Sequence, residues 1–429
     1  MKCVVSVSAS VLLFASVGFV QAACPRLATF RTVPKPAGVL NAKATGVAHD
    51  ASALVGTFSV PGGVVIEQGF IWNPETGALT LLPVPTDWFS VCCPQATSFS
   101  TIPLGIANNA VVVTGHVQEF PDGRTKAFRW TPTGGMLNLT PEPFTYGSAA
   151  DVTPNGVVLA GDISSASVAS QAFRWTVGFG FEYIASGDGQ PLSISCVSAG
   201  GDSIAGTVLG ANPLAFRWTS FGGVQVLGDL PSGADASAGL AIAPDGSAVA
   251  GVGSIACDAQ NCREAFLWSA STGFVPLGTL PGRKNSEALA ISERGEIVVG
   301  VSYNTASDRA AFYWTARRGM RPLVDVLLER GAILPPGTRL IEATDLDDFG
   351  RRVVGVSANA SGQTDGFIAE MAVECLADYN ASGEADFFDF ISFVDDYSAR
   401  NICADVNRDG TIDFFDYLDF TEAFDAGCP

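Results

Sequence analysis

The chain has 429 residues, with 43 Asp plus Glu against 24 Lys plus Arg, a formal net charge of −19, and only 2 His beside 47 Gly. Nothing this acidic offers a basic surface for a phosphate backbone, so nucleic-acid binding is excluded. Two histidines, with no cysteines at zinc-like spacing, also argue against a metal-hydrolase centre.

The first element in chain order is "MKCVVSVSASVLLFASVGFVQAAC": Lys2, an apolar run, then Val20-Gln21-Ala22 of the small-x-small kind. This predicts a secretory signal peptide over 1–22. A lipid on Cys24 is the minor alternative, because Gln21 stands where a lipidation box wants Leu. No later stretch has the run of about 18 apolar residues that a membrane span requires. The expected address is therefore secreted or cell-surface, without a transmembrane span. Of 10 cysteines, Cys3 falls in the signal, which leaves an odd number in an exported chain. Some are expected to pair, Cys257 with Cys262 being the best local pair, and the connectivity of Cys375, Cys403 and Cys428 stays open.

Residues 23–373 are built on one motif. Seven 12-residue segments align without gaps from Gly46, Gly105, Asp151, Cys196, Ala241, Ala290 and Asp345. Position 11 is Gly in all of them, position 2 is Val, Ile or Leu, and position 6 is Gly in five and Ala in two. Each segment is followed by an aromatic stretch ("GFIW", "AFRW" three times, "AFLW", "AFYW", "GFIA") that places Phe and Trp on one face of a strand. Turn pairs such as Asn155-Gly156 and Asp245-Gly246 suit hairpins. Each repeat thus predicts four short strands, and the array an all-β fold, a seven-bladed β-propeller. The seventh repeat lacks its own last strand, and "LATFRTVPKP" over 27–36 is expected to supply it.

No nucleophile elbow or phosphate loop interrupts the array. The position after the invariant glycine holds His116 and Asp162 in adjacent repeats, the one polar cluster that stands out there, while His49 sits in the first repeat's turn.

Residues 374–429 differ in kind, carrying 13 Asp plus Glu and 2 Arg from Cys375 onward. "DYNASGEADFFD" and "DVNRDGTIDFFD" repeat at a 27-residue offset. Oxygen-bearing residues fall at positions 1, 3, 5, 7, 9 and 12 of each: Asp378, Asn380, Ser382, Glu384, Asp386 and Asp389, then Asp405, Asn407, Asp409, Thr411, Asp413 and Asp416, with Glu384 and Thr411 acting through their carbonyls. Gly383 and Gly410 stand at position 6. This is calcium-loop chemistry: hard oxygen donors on a tight turn. Ser382 removes a charge and predicts a weaker first site. Phe387, Ile391 and Val394, and Phe414, Leu418 and Phe424, are expected to form the apolar stripe of a helix after each loop.

The duplicated loop and helix resembles the type I dockerin domain, a calcium-dependent docking module of secreted bacterial proteins. That resemblance implies a small all-α domain with two EF-hand-like loops, calcium as the bound ion, and a cohesin-like or other surface protein as partner. It assigns partner contacts to Phe387, Phe388, Phe414 and Phe415, although the same residues could fill a small core. The Ala-Phe-x-Trp repeats are similar to those of extracellular HAF-repeat proteins. They depart at the His of that step, replaced by Lys126, Gln171, Leu214, Glu264 and Ala310. No settled activity accompanies that family. The expected function is a non-catalytic surface or matrix protein whose propeller binds a carbohydrate or protein. The alternative is a secreted carbohydrate-active enzyme such as a glycoside hydrolase, whose paired carboxylates carry no local signature.

Overall fold

A computed structural model of the chain describes residues 28–60, 65–89, 98–231, 233, 236–257, 260–371, 377, 379–380, 385–406 and 411–427. The signal segment and Cys24 lie outside these residues, as do Asp378, Ser382, Glu384, Asn407 and Asp409. Two compact units are present, one over Leu27–Glu374 and the other containing the tail from Cys375.

In the larger unit the first six sequence repeats each fold as a four-stranded antiparallel meander, and the seventh contributes three strands. Repeat three is representative, with strands Tyr146–Val152, Val158–Ser165, Val168–Thr176 and Gly180–Ile184 in that order across the sheet. Repeats one and two join into one eight-stranded sheet through a parallel contact between Val65–Trp72 and Ser98–Ile106. The expected N-terminal strand is there: Thr29–Thr32 pairs with Thr364–Glu370, setting Phe30 opposite Ala369 and Thr32 opposite Phe367. Arg31 and Thr29 both donate to the Glu370 carboxylate, at 2.9 and 3.2 Å.

The apolar core is divided among the junctions between consecutive repeats. Val354 and Ile368 of repeat seven, for example, pack with Leu54, Phe70 and Trp72 of repeat one. The Phe of each aromatic strand is completely buried in all seven repeats, from Phe70 to Phe367. Each such ring removed from water contributes about 1.5–3 kcal/mol.

The invariant glycine has a steric cause. In every repeat the first strand carries a one-residue bulge opposite it, as between Ala149 and Asp151 in repeat three. A Cβ on Gly161 would lie 2.0 Å from the Ser148 carbonyl oxygen and 3.0 Å from the Phe173 ring. The same approach, 2.0–2.1 Å, recurs at the other six. Position 6 is explained by backbone conformation instead: it lies in the left-handed region in all seven repeats, with Gly156 at φ 70° and the two alanines, Ala51 and Ala110, at 58° and 53°. Neighbouring repeats are also tied by the residue between Phe and Trp. Arg129, Arg174 and Arg217 donate to the carbonyls of Gly156, Gly201 and Gly246 in the next repeat's turn, at 3.4, 2.7 and 2.8 Å. One helix was not anticipated: α1, Leu323–Glu329, which buries Leu323, Val326 and Leu327 between repeats six and seven.

In the tail, α2 (Phe387–Ser398) and α3 (Phe414–Ala426) begin at Asp386 and Asp413, each closing a capping box with the Asp three residues on. Phe393 stacks on Phe420, its own counterpart at the 27-residue offset, with centroids 4.1 Å apart. Phe390 meets Phe424 and Tyr397 meets Tyr417, contacts that exchange under the same offset. Tyr379 stands edge-on to both central rings. The two loop-and-helix repeats of the tail are therefore related by a local twofold axis through the Phe393–Phe420 stack. This corrects the expected stripes: Phe387, Ile391, Phe414 and Leu418 are exposed, and the buried face is shifted to Phe390, Phe393, Tyr417 and Phe420. "DFFDFISFVDDY" carries apolar residues on more than one face, so helical periodicity alone cannot choose between them.

Candidate functional site

The bulges aim two successive residues of each first strand at the centre of the ring of repeats. There they enclose a cavity of about 470 Å³ to which all seven first strands contribute. The bulged residues Thr45, Leu104, Ala150, Ser195, Leu240, Leu289 and Thr344 all face it. Beside them come position 1 of the aligned segments, where Asp151 and Asp345 are the charged members. Among the described residues His49 is the only basic side chain in this wall.

Both carboxylates are built in alike. Asp345 accepts from its neighbour Leu346 N and from Val47 N of repeat one, both at 2.8 Å. Asp151 accepts from Val152 N at 2.7 Å and from Val197 N of repeat four at 3.0 Å. Each therefore pins the following repeat. Glycine precedes or follows each in the ring: a Cβ on Gly105 would lie 3.0 Å from an Asp151 oxygen and 2.8 Å from the Thr114 hydroxyl. Thr45 and Thr344 add the same kind of tie, donating to Pro103 O and Ala44 O at 2.8 and 3.0 Å.

His49 Nδ1 lies 2.6 Å from an Asp348 carboxylate oxygen across the junction of repeats one and seven. Burial opposes its charge, but the Asp348 hydrogen bond and the charges of Asp348, Asp151 and Asp345 outweigh that, and its pKa is pushed up to about 9. Burial raises Asp345 to about 7 against its backbone hydrogen bonds, and it moves Asp151 in the same direction. The Cys196 thiol, a free cysteine in the same wall, is pushed well up by burial and by the nearby Asp151 charge.

The His116 and Asp162 pair is not a direct one. Ser148 stands between them, 3.4 Å from His116 Nδ1 and opposite Asp162 in the sheet register. Asp162 instead accepts from Ile194 N at 3.2 Å. Burial lowers His116 to about 4 and raises Asp162 to about 6. Asp162 also lines the central cavity, and the sequence signal for the two carboxylates beside it is the position-1 column, Gly, Gly, Asp, Cys, Ala, Ala, Asp.

In the tail the closing residue of each loop, Asp389 or Asp416, has zero exposure. Asp389 accepts from Asn380 N and Asp386 N, both at 2.8 Å, tying the start of the loop to its end. Asp416 does the same with Val406 N at 2.6 Å and Asp413 N at 2.9 Å. Asp386 and Asp413 cap the helices by accepting from Phe388 N and Phe415 N. Asp405 is half-buried and Thr411 exposed. No group of three metal-ligating His, Cys, Asp or Glu occurs among the described residues, which omit most of both loops. Phe387, Phe388, Phe414 and Phe415 are 62–68% exposed, so they do not fill the tail's core.

No family profile matches the chain, and no curated protein sequence matches it. Solved structures do. The β-propeller domain of the Trilobed protease from Pyrococcus furiosus, which has an open velcro topology, aligns with a TM-score of 0.51 at 8% identity, over 78% of this chain and 98% of that one. An oligogalacturonate lyase in complex with manganese gives 0.51 at 12% identity, over 80% and 96%. Likeness at such identities is a likeness of fold, and it marks the larger unit as a β-propeller.

Proposed function

We propose that the protein is a secreted, non-catalytic bacterial surface or matrix component, in which a seven-bladed HAF-repeat-like propeller presents a binding face and a dockerin-like tail docks it to a partner protein when calcium is bound. The carrying observation is the pair of fully buried closing carboxylates, Asp389 and Asp416, each hydrogen-bonded to both ends of its own loop. That tie sets a hard oxygen donor at the close of each loop, the position from which a calcium loop binds its ion. With calcium the ligands would be Asp378, Asn380, Ser382, Glu384 and Asp389 in the first loop, and Asp405, Asn407, Asp409, Thr411 and Asp416 in the second, Asp386 and Asp413 serving position 9. Affinity for the ion then becomes folding free energy of the tail.

A count of seven blades is supported by six four-stranded meanders and a seventh sheet that the N-terminal strand completes. A non-catalytic propeller is favoured because Asp151 and Asp345 each direct both oxygens to backbone N–H groups. A disulfide between Cys257 and Cys262 would suit the exported address.

Hydrogen exchange on the full-length protein tests the tail. In calcium, amides of α2 and α3 should be protected, and in excess chelator they should exchange as unfolded chain while the propeller is unaffected. Asp389→Asn with Asp416→Asn should remove the calcium response. Equal protection of both helices in chelator would overturn the proposal.

A further inference from the structure

The junction between repeats six and seven is filled differently from the others. Repeats two, three and four reach into the next turn with an arginine, as described above. Leu267 packs on the Gly295 turn, while Ile71 shares a cluster with Ala110 and Ile368 with Ala51. At repeat six the equivalent residue is Tyr313, and beside it a hollow of about 410 Å³ opens between the repeat-six turn, the end of α1 and the repeat-seven turn.

Four of the twelve residues lining that hollow are arginines, Arg317, Arg318, Arg330 and Arg351. In a chain with 24 basic residues among 429, this concentrates positive charge in one place. Among the described residues Glu296 is the only acidic side chain in its wall. Outside the wall, Glu329 pairs with Arg321 and feels the charges of Arg318 and Arg330, and Asp347 accepts from Arg351 N and Arg352 N at 2.6 and 3.1 Å and feels the Arg351 charge.

The turns that carry these groups are fixed. Gly350 N donates to Asp347 O at 2.9 Å and Arg318 N to Thr315 O at 3.2 Å. Gly350, at φ +67°, has no room for a side chain, because a Cβ would meet Ile297 at 2.5 Å. The Arg330 guanidinium lies 5.4 Å over Tyr313, and that of Arg351 lies 5.3 Å over Phe349. Phe349 is 59% exposed.

We infer that this hollow is a binding subsite for a carboxylated polysaccharide, with the exposed Arg317 and Arg318 taking uronate carboxylates and Phe349 covering the apolar face of a pyranose ring. A guanidinium fork matches a carboxylate in two parallel hydrogen bonds. An exposed aromatic ring beside that fork gives a sugar what a free anion would not use. The inference is independent of the calcium tail, since every residue it uses belongs to the propeller.

The test is calorimetry of the purified full-length protein with glucuronate oligosaccharides as the probe. Saturable binding is expected, weakening by about tenfold or more when salt rises from about 0.05 to 0.5 M. Arg317→Glu with Arg318→Glu should cost about tenfold or more, and Phe349→Ala about threefold. Both arginines are exposed, and Arg317→Gln with Arg318→Gln carries the test if the charge reversal fails to fold. Absence of binding, or unchanged affinity in the arginine variants, would overturn the site. Equal binding of cello-oligosaccharides would remove the role of charge, and equal binding of polyglutamate the role of the sugar. Binding of dextran sulfate without glucuronate would replace the carboxylate by a sulfate ester, overturning the assignment.

Discussion

The repeated phenylalanines do opposite things in the two units. In the propeller, each of the seven repeats hides the Phe of its aromatic strand completely, from Phe70 to Phe367. In the tail, two units bury Phe393 and Phe420 but leave Phe387, Phe388, Phe414 and Phe415 in solvent. The propeller repeats stack in series, so whatever one repeat exposes on its packing face the next one covers. The tail units pack about a twofold axis, so each uses one face on its twin and has no third unit to cover the other. Identical chemistry thus stabilises a ring in one unit and forms two equivalent apolar surfaces in the other.

Four measurements probe how each unit is held together. The largest effect is expected from Phe393→Ala, which removes half of the central stack; a loss of about 3–5 kcal/mol exceeds what so small a core can spare. Loss of exchange protection in both tail helices, with the propeller melt unchanged, is the expected reading. Phe387→Ala should change stability by no more than about 0.5 kcal/mol, and a loss as large as that of Phe393→Ala would contradict its exposure. Gly161→Ala comes next, at about 3 kcal/mol by denaturant unfolding, because the new Cβ meets a backbone oxygen that cannot move aside. Gly178→Ala is the control, with φ +81° but nothing within 4 Å, and should cost only the left-handed strain of about 1–2 kcal/mol.

Third is a pH effect on the propeller. His49 is raised to about 9 from the ordinary 6.5, so the folded state holds a proton that the unfolded chain has released. Its stabilisation is complete below pH 6.5 and is lost as pH rises toward 9. Melting temperature should fall across that window, and His49→Asn should flatten the fall. Below 6.5 two trends oppose: Asp345, raised to about 7, favours the folded state at low pH, whereas His116, lowered to about 4, withdraws stability as pH falls. The smallest effect is a gain. Ala110 occupies φ 53°, and Ala110→Gly should stabilise by up to about 1 kcal/mol, visible as a small rise in the denaturation midpoint.

Repeat length, strand number and the returning N-terminal strand were legible because each rests on local alternation and on turn chemistry within a few residues. The invariance of Gly161 and its equivalents was equally visible, but its cause was not: the bulge depends on the register between two strands, which a single strand does not encode. Asp151 and Asp345 stood in plain view in an aligned column, yet their meeting across the axis depends on how repeats three and seven curve around the ring. The arginine hollow is less legible still, since Arg317, Arg330 and Arg351 come from two turns and a helix end that are brought together only by packing. In the tail the two helices after the loops followed from spacing, but the capping role of Asp386 and Asp413, whose spacing marks them only as loop positions, did not, nor did the buried stripe, because Phe390 and Phe393 compete with Phe387 and Ile391 on equal periodic terms.

The pairing of Thr29–Thr32 with Thr364–Glu370 sets a timetable for folding. Thr29 and Glu370 are 341 residues apart, so during synthesis the first strand made must wait for almost the last. The entropic penalty for closing so long a loop grows only by about 0.6 kcal/mol per doubling of length, so the finished ring is not much weakened by it. The delay falls on rate, because contacts this distant in sequence form slowly. Until the strand arrives, the edge beside Phe367 stays unpaired, and the nearly complete ring is the form most open to aggregation or proteolysis.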